Sequence, residues 1–400
     1  MKRTVFAFLL VAGFVAEAVV PRVSDVTMTS YGKCRINYTL SDAPGIVTFE
    51  ILTNDVPISA ECLTNACGDV NRVVEPGART INWDASEIWP GHKFRTPSVK
   101  ARVTVWPTNA PPDWLAVDLT SADCPVTYYA SEAALPWGRI SGNQKYKGDV
   151  LLMRKIPVSH VLSFTGSPET EANHLAGRET RRMCTLTNDF FIGIYPLTFR
   201  QFYLLNTGPT TTEERLAPVF NQSYNRLRYN RDDYNNTLRP VNFPTTSRTY
   251  VGGNSLLQDW RTKTGLVLDL PTAAQWEIAC RAGTDGPTYA ALTSICNPNV
   301  HPTLGYEVGL HQPNGWRLYD MIGNRYEWCL DYFSDNISAE AVTDPLGAAS
   351  DGGQFKRVIR GTYHTGTYST HMRAAFVTGE KDFNAANYQH VGFRLCITLP

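Results

Sequence analysis

The feature that most constrains the fold is an aromatic stretch at residues 315–333, with the sequence GWRLYDMIGNRYEWCLDYF. Trp and Tyr side chains combine large apolar area with a polar group, so we expect this stretch to cross the middle of a core. Gly323-Asn324 predicts a tight turn, because both residue types tolerate positive φ. Asn324 and Glu327, close together on that turn, offer oxygen ligands to a hard cation such as calcium. The alternative is a turn whose polar pair bonds only backbone amides.

The composition is that of a folded chain with room for more than one domain. Of the 400 residues, 43% are hydrophobic, which is enough to form cores. The 37 basic and 37 acidic residues balance, and no run of Lys or Arg stands out. We therefore expect no nucleic-acid partner.

The N-terminus has the pattern of an export signal. A Lys-Arg pair precedes an apolar run over residues 5–16, and Ala-Glu-Ala at residues 16–18 has the small-x-small form that a signal peptidase cuts. The run is too short to anchor stably in a bilayer, and no later segment is apolar enough to span one. We predict a signal peptide at residues 1–18, no transmembrane segment, and a secreted, periplasmic or cell-surface location.

Export makes disulfides possible for the nine cysteines that remain after cleavage. Cys62 and Cys67 have a spacing that suits either a small disulfide loop or half of a metal knuckle. Because no second Cys or His pair has knuckle spacing, zinc is not expected.

Residues 19–106 predict a small β-sandwich of immunoglobulin or fibronectin type. Short strand-like runs begin at Cys34, Ile46 and Val99 and are separated by turn residues. The Pro-rich piece that follows indicates a domain boundary, and residues 107–148 are interpreted as a linker and packing segment.

From residue 149 the pattern changes to mixed α and β. Thr198 and Thr272 are each followed three residues later by Gln, which predicts a capping box at the start of a helix. We expect the first helix to bury Tyr203 among other aromatics and the second to bury Trp276. Residues 209–264 show little periodicity and are predicted to be loop.

Motifs spread over residues 149–398 resemble, in order and spacing, the formylglycine-generating enzyme (sulfatase-modifying factor) family. They include Gly166-Ser167-Pro168, FFIGIYPLT at 190–198, Pro240-Val241-Asn242, LPTAAQWE at 270–277, the stretch at 315–328, RVIRG at 357–361, Arg373 and Gly392-Phe393-Arg394. The resemblance implies an irregular α+β domain, related to C-type lectins, over residues 149–400 and preceded by the all-β sandwich.

Active members of this family oxidise a sulfatase cysteine to formylglycine, using two copper-binding cysteines before the final Gly-Phe-Arg. In this chain Arg360 and Gly361 match the family, but no cysteine lies between Cys329 and Cys396. A thiolate pair is what selects Cu(I), so copper is not expected here. The resemblance therefore implies a member that lacks the catalytic pair.

The resemblance also implies roles for other residues. Asn324 and Glu327 match a calcium-binding turn of the family. A disulfide between the helix cysteine and the Gly-Phe-Arg cysteine of some members suggests a pair between Cys280 and Cys396. The extra Leu395 shifts the register by one residue, which on a strand reverses the face.

Three functions remain open from the sequence. The first is a non-catalytic exported protein whose cleft binds a protein, peptide, glycan or cell-surface partner. The second is an oxidase that acts on a protein or small thiol through an unfamiliar metal centre, for which His364 and His371 are candidate ligands. The third is a retroelement-diversified display protein with a variable loop near residues 362–390, since residues 362–371 are all Thr, Tyr, His, Gly or Ser.

For the first function, we predict an exposed loop at residues 361–371 beside the aromatic turn. Rigid Tyr rings provide contact area at low entropic cost, and small residues between them leave room for a ligand. The predicted ligand contacts are Tyr363, His364, Tyr368, His371 and Arg373.

Overall fold

The computed structural model describes residues 19–31, 33–88, 98–232, 250–296, 305–349, 356–362, 370–381 and 390–400. Within these ranges, none of the helices is both long and apolar enough to cross a membrane.

The N-terminal part of the chain is built from strands, a 3₁₀ turn at Ala60–Leu63 and one α-helical turn. The strands and the α-helical turn are β1 (Arg22–Tyr31), β2 (Lys33–Ser41), β3 (Gly45–Thr53), β4 (Val56–Pro57), β5 (Cys67–Gly68), β6 (Val73–Val74), β7 (Gly77–Asp84), α1 (Ala85–Ile88) and β8 (Val99–Pro107).

Two antiparallel sheets enclose the N-terminal core. The first has the order β1-β2-β7-β5, and in the second β3 pairs with β4, β6 and β8. Alternate residues of β2 are buried, so one face of the first sheet covers a core that includes Ile36, Val47 and Trp83. The strand-like runs predicted from the sequence lie within β2, β3 and β8.

The rest of the chain mixes strands with short helices. The strands are β9 (Trp114–Asp118), β10 (Val126–Tyr129), β11 (Val150–Ile156), β12 (Leu162–Thr165), β13 (Arg182–Thr185), β14 (Phe190–Gly193), β15 (Tyr326–Tyr332), β16 (Val342–Thr343), β17 (Lys356–Gly361), β18 (Thr378–Lys381), β19 (Val391–Gly392) and β20 (Cys396–Thr398). The helices are α2 (Gln144–Gly148), α3 (Phe199–Thr207), α4 (Tyr224–Arg228), α5 (Leu256–Thr264), α6 (Ala273–Arg281) and α7 (Leu292–Ile295).

A five-stranded antiparallel sheet, β10-β9-β11-β14-β20, forms the centre of this part. β9 and β10 come from the segment that the sequence indicated as linker and packing, so that segment is built into the main sheet. Smaller sheets of order β12-β13-β16 and β18-β17-β15-β19 lie beside it. The predicted α+β class is confirmed.

Both predicted capping boxes are present. The Gln201 amide donates to the Thr198 hydroxyl and the Thr198 amide donates back to Gln201 Oε1, each at 3.2 Å. The equivalent bonds at Thr272 and Gln275 are 3.0 and 2.9 Å long. These bonds satisfy amides that have no partner inside the helix, and they fix where α3 and α6 begin.

Two predictions about the helical regions are wrong. Tyr203 is 38% exposed, because its position on α3 turns it away from the buried Phe199 and Phe202. Residues 209–264 are not simply loop, since α4 and α5 form there and bury Tyr224 and Trp260 completely. Aromatic burial overrides weak local periodicity in this part of the chain.

All nine cysteines are free in the structure, so neither suggested disulfide is formed. Cys396 points its Sγ at Gln275 Oε1, 3.8 Å away. Gln275 and Cys280 lie five positions apart on α6 and therefore on different faces of the helix. The family pairing of Cys280 with Cys396 is not made.

An ion pair between Glu327 and Arg394 lies at the centre of the domain, where neither side chain is measurably exposed. Arg394 Nε and Nη2 donate to the two carboxylate oxygens at 2.6 and 2.7 Å. Trp276 Nε1 donates to the same carboxylate at 2.7 Å. The remaining guanidinium donors reach the Gly193 and Tyr319 carbonyls at 3.0 Å. This pair joins β15, α6 and the C-terminal Gly-Phe-Arg motif.

We expect Glu327→Gln to lower the free energy of unfolding by about 3–5 kcal/mol, because it leaves the buried Arg394 charge without a counter-ion. Urea denaturation followed by tryptophan fluorescence measures this change. The control is Glu213→Gln, which breaks a surface pair with Arg215 and should cost less than about 1 kcal/mol. Equal effects of the two substitutions would show that the buried pair is not the central support.

Candidate functional site

The predicted turn at Gly323-Asn324 is present, with φ of 97° and 62°. A Cβ at Gly323 would come within 2.7 Å of the Cβ of Cys296, so the position is restricted to glycine. Asn324 Nδ2 donates to the Tyr306 carbonyl at 3.1 Å, and the Tyr306 amide donates to Asn324 Oδ1 at 3.4 Å. The Asn324 side chain thus binds backbone, as in the alternative that the sequence left open.

The side chains of Asn324 and Glu327 are each bonded to other groups of the protein. Both carboxylate oxygens of Glu327 accept from Arg394, and the Asn324 amide is bound to Tyr306. A carboxylate held by a guanidinium does not fit a calcium ligand unless the arginine is displaced. Calcium at this turn stays a prediction, and the role of Glu327 in this structure is to hold Arg394.

Asp320, in the same aromatic stretch, is a buried carboxylate that sequence reasoning missed. Its Oδ2 accepts from the Gly309 amide at 2.7 Å, while its Oδ1 has no hydrogen-bond partner among the described residues. Burial raises the pKa of Asp320 to about 6 from 3.8, although the Gly309 amide and the nearby Arg394 charge oppose the shift. An acidic residue inside an otherwise aromatic run was the available signal.

A group of aromatic and ionisable side chains lies where β15, β18 and β19 meet the predicted ligand loop. This aromatic–histidine cluster consists of Tyr326, His371, Phe376, Glu380 and His390. The His371 and Phe376 rings stack with centroids 4.1 Å apart. The Tyr326 hydroxyl lies 3.5 Å from His371 Nδ1, and the Tyr326 ring meets the His390 ring edge-on at 6.0 Å.

Exposure divides the cluster into a floor and a rim. Tyr326 and Phe376 are 8% and 3% exposed and form the floor. The side chains of His390 and Glu380 are 27% and 31% exposed, and His390 Nε2 lies 3.5 Å from Glu380 Oε2. An aromatic floor with a polar rim is the usual composition of a binding site.

The local electrostatics keep His371 neutral and Glu380 charged. Burial lowers the pKa of His371, and the positive charge of Arg373 lowers it further. Burial alone would raise the pKa of Glu380, but the hydrogen bonds from His390 and the Lys381 amide, together with the nearby charges of His390 and Lys356, outweigh burial, so the pKa is lowered. The cluster thus contains the neutral imidazole of His371 and the ionised carboxylate of Glu380.

The two ends of the predicted ligand loop, residues 361–371, are joined by a hydrogen bond and form its stem. Thr362 is fully buried, and its hydroxyl donates to the His371 carbonyl at 2.7 Å. The stem lies beside the aromatic turn, as the sequence predicted, since His371 contacts Tyr326. Three of the predicted contacts, Tyr363, His364 and Tyr368, lie outside the described residues.

Arg373, which the sequence indicated as a ligand contact, has a different position. It is 5% exposed and donates to both oxygens of Glu179 at 2.7 Å and to Glu171 at 2.7 Å. Its other donors reach the Thr370 and Asn173 carbonyls. All of its nitrogens are therefore engaged, and Arg373 fixes the segment around Glu179 instead of facing a cleft.

Sequence reasoning also missed Phe376, Glu380 and His390 of the cluster. Phe376 lies two residues before β18, Glu380 lies on β18, and His390 directly precedes β19. The available signal was the position of His390 two residues before the Gly-Phe-Arg motif. That signal is weak, because strand pairing rather than spacing brings His390 to Tyr326.

The sequence of this domain is similar to a known protein family and to several curated proteins. Residues 158–399 match the family model described as a sulfatase-modifying factor enzyme 1-like domain. The formylglycine-generating enzyme of Streptomyces coelicolor is 34% identical over 121 residues, which are 26% of this chain and 36% of that protein. The serine/threonine-protein kinase pkn1 of Chlamydia pneumoniae is 30% identical over 196 residues, 44% of this chain and 28% of that protein. The matches thus span well under half the length of these relatives.

Two solved structures are similar over most of their own length. PvdO from Pseudomonas aeruginosa has a TM-score of 0.47 and 19% identity, and the match covers 62% of this chain and 94% of that one. The Treponema denticola variable protein 1 has a TM-score of 0.45 and 20% identity, with 63% and 96% covered.

We expect Asp320→Asn to become more stable, relative to the unsubstituted protein, as the pH rises from 4 to 6. The raised pKa means that the folded protein binds more protons than the unfolded chain in this window, so Asp320 costs stability as it ionises. The gain at pH 7 should be about 3 kcal/mol. Urea denaturation at a series of pH values measures it, with the exposed Asp335→Asn as control. A difference that does not vary with pH would contradict the assignment.

Proposed function

The chain belongs to the sulfatase-modifying factor enzyme 1-like family, and from this premise we propose that it is an exported, non-catalytic member that binds a peptide, glycan or cell-surface partner. The binding surface is the aromatic–histidine cluster together with the loop that joins Thr362 to His371. Two observations on the same part of the chain carry the proposal. No cysteine lies between Cys329 and Cys396, where active members have their copper-binding pair, and residues of this segment form the partly exposed cluster.

The remaining thiols of the domain support a non-catalytic role. Burial raises the pKa of Cys280 to about 12 and that of Cys184 and Cys296 to about 11. Burial likewise raises the pKa of Cys329 and Cys396 well above the ordinary value. The thiolate is the form that binds copper and attacks electrophiles, so these cysteines do not replace the missing pair.

The cluster has the composition of a recognition surface. Tyr326 and Phe376 supply a rigid apolar floor, and His371, His390 and Glu380 supply donors and acceptors at its edge. A partner that presents an apolar face with flanking hydroxyl or amide groups would satisfy both parts. Peptides and glycans have this chemistry.

The relatives do not by themselves specify a reaction. Their names include a formylglycine-generating enzyme and a protein kinase, and each shares only part of its length with this chain. The oxidase alternative requires a metal centre built without the cysteine pair. The display alternative is supported by the restricted composition of residues 362–371, and a near-copy template repeat beside a reverse transcriptase gene would favour it.

We expect the purified protein, loaded with copper, to leave a Cys-x-Pro-x-Arg peptide unoxidised. The reason is that no accessible thiolate pair is available in the domain to hold Cu(I). Mass spectrometry of the peptide detects the aldehyde, and the Streptomyces coelicolor formylglycine-generating enzyme serves as positive control. Multiple turnovers by this protein would overturn the non-catalytic assignment and favour the oxidase.

Binding itself is tested on glycan and peptide arrays with the labelled protein. We expect a set of bound ligands whose signal falls at least tenfold in the double variant His371→Gln, His390→Gln, since both substitutions remove rim groups while leaving the buried floor. The matched control is His160→Gln, an exposed histidine outside the cluster. Ligands that bind the double variant as well as the control would place the binding surface elsewhere.

A further inference from the structure

A cavity apart from the aromatic–histidine cluster lies where β13, the first turn of α6, the end of β15 and β17 come together. Its volume is about 50 Å³, and one water molecule requires roughly 10–15 Å³ by this measure. The wall contains Thr165, Thr180, Arg182, Glu277, Asp331 and Arg360. None of the five residues of the cluster lines it. The space suits a small group of a few heavy atoms and is too small for a peptide or a sugar.

Arg182, in this wall, has no ion-pair partner among the residues that the structure describes. Its Nε is buried and has no hydrogen-bond partner among the described residues. The neighbouring Arg181 shows the ordinary arrangement, because it donates to both oxygens of Asp285 at 3.0 Å and lies over the Phe164 ring. A buried guanidinium donor without an acceptor is costly, so its position calls for an acceptor inside the cavity.

The carboxylates that line the cavity are already engaged. Glu277 is shared between two guanidinium groups, with Arg281 Nη2 at 2.7 Å and Arg360 Nη2 at 2.9 Å. Asp331 accepts from the Ala273 amide at 2.7 Å. Counted together, Glu277 and Asp331 balance the charges of Arg281 and Arg360, so the surplus positive charge at this place is that of Arg182 itself.

Arg360 is a second arginine in the wall. Its Nε is also buried without a partner among the described residues, although its other nitrogens are bonded. Thr165 and Thr180 line the same space, and a threonine hydroxyl can donate as well. The wall therefore offers several donors, two of them from guanidinium groups, around a space of a few heavy atoms.

We propose that this cavity is a binding site for a small oxyanion, of the size of a carboxylate, phosphate or sulfate group, with Arg182 as its main contact. The guanidinium fork matches two oxygens of such a group. The site goes beyond the proposed recognition function and shares no contact residue with the cluster. An experiment can therefore contradict one of the two proposals and leave the other standing.

The test is isothermal titration calorimetry of the full chain with sodium sulfate, phosphate and acetate, with ionic strength balanced by sodium chloride. We expect at least one of these anions to bind more tightly than chloride. Arg182→Gln should raise the dissociation constant at least about tenfold, because a charge-assisted contact is lost. Arg181→Gln removes a similar charge one position away and should leave the constant within about twofold.

Arg182→Lys keeps the charge but removes the buried Nε donor. This variant replaces Arg182→Gln in the titration if Arg182→Gln does not fold. We expect it to bind more weakly than the unsubstituted protein. If sulfate, phosphate and acetate all bind no more tightly than chloride, the cavity takes an adventitious ion only, and the proposal is overturned. Equal binding by the Arg182 and Arg181 variants, or unchanged binding by Arg182→Lys, would overturn it as well.

Discussion

The ion pair between Glu327 and Arg394 joins parts of the domain that are distant in the chain, and the surrounding irregular structure depends on it. Burying two charges costs several kcal/mol per ion unless every donor and acceptor is satisfied. Here the carboxylate is satisfied by Arg394 and Trp276, and the guanidinium also reaches two backbone carbonyls. The pair therefore orders β15, α6 and the C-terminus together.

Two other buried arginines also bind both a carboxylate and backbone carbonyl groups. Arg360 Nη1 donates to the carbonyls of residues 374, 375 and 376, and Arg373 donates to the carbonyls of residues 173 and 370. Segments without regular strand or helix pairing must still satisfy their carbonyl groups when buried. In this domain guanidinium groups, themselves neutralised by Glu277 and Glu179, satisfy several of them. That arrangement supports loops that carry the aromatic–histidine cluster.

Local signals in the sequence predicted local structure well. The capping boxes at Thr198 and Thr272 and the turn at Gly323 follow from interactions within a few residues, and the structure has all three. The family resemblance predicted the α+β domain, because the order of its motifs is specific. Features that depend on distant partners were not predictable in this way.

The partner of Glu327 shows why. Its three bonds come from residues on α6 and near the C-terminus, and no spacing rule connects them. Arg373 was expected to contact a ligand because it matches a family position that flanks the predicted loop, yet two distant glutamates bind it in the interior. The buried thiols have a further consequence if the chain is exported as proposed. Folding buries these thiols, so they are shielded from oxidation only once the core has formed. During export, folding therefore competes with oxidation, and a chain that folds slowly in the oxidising compartment can form non-native disulfides.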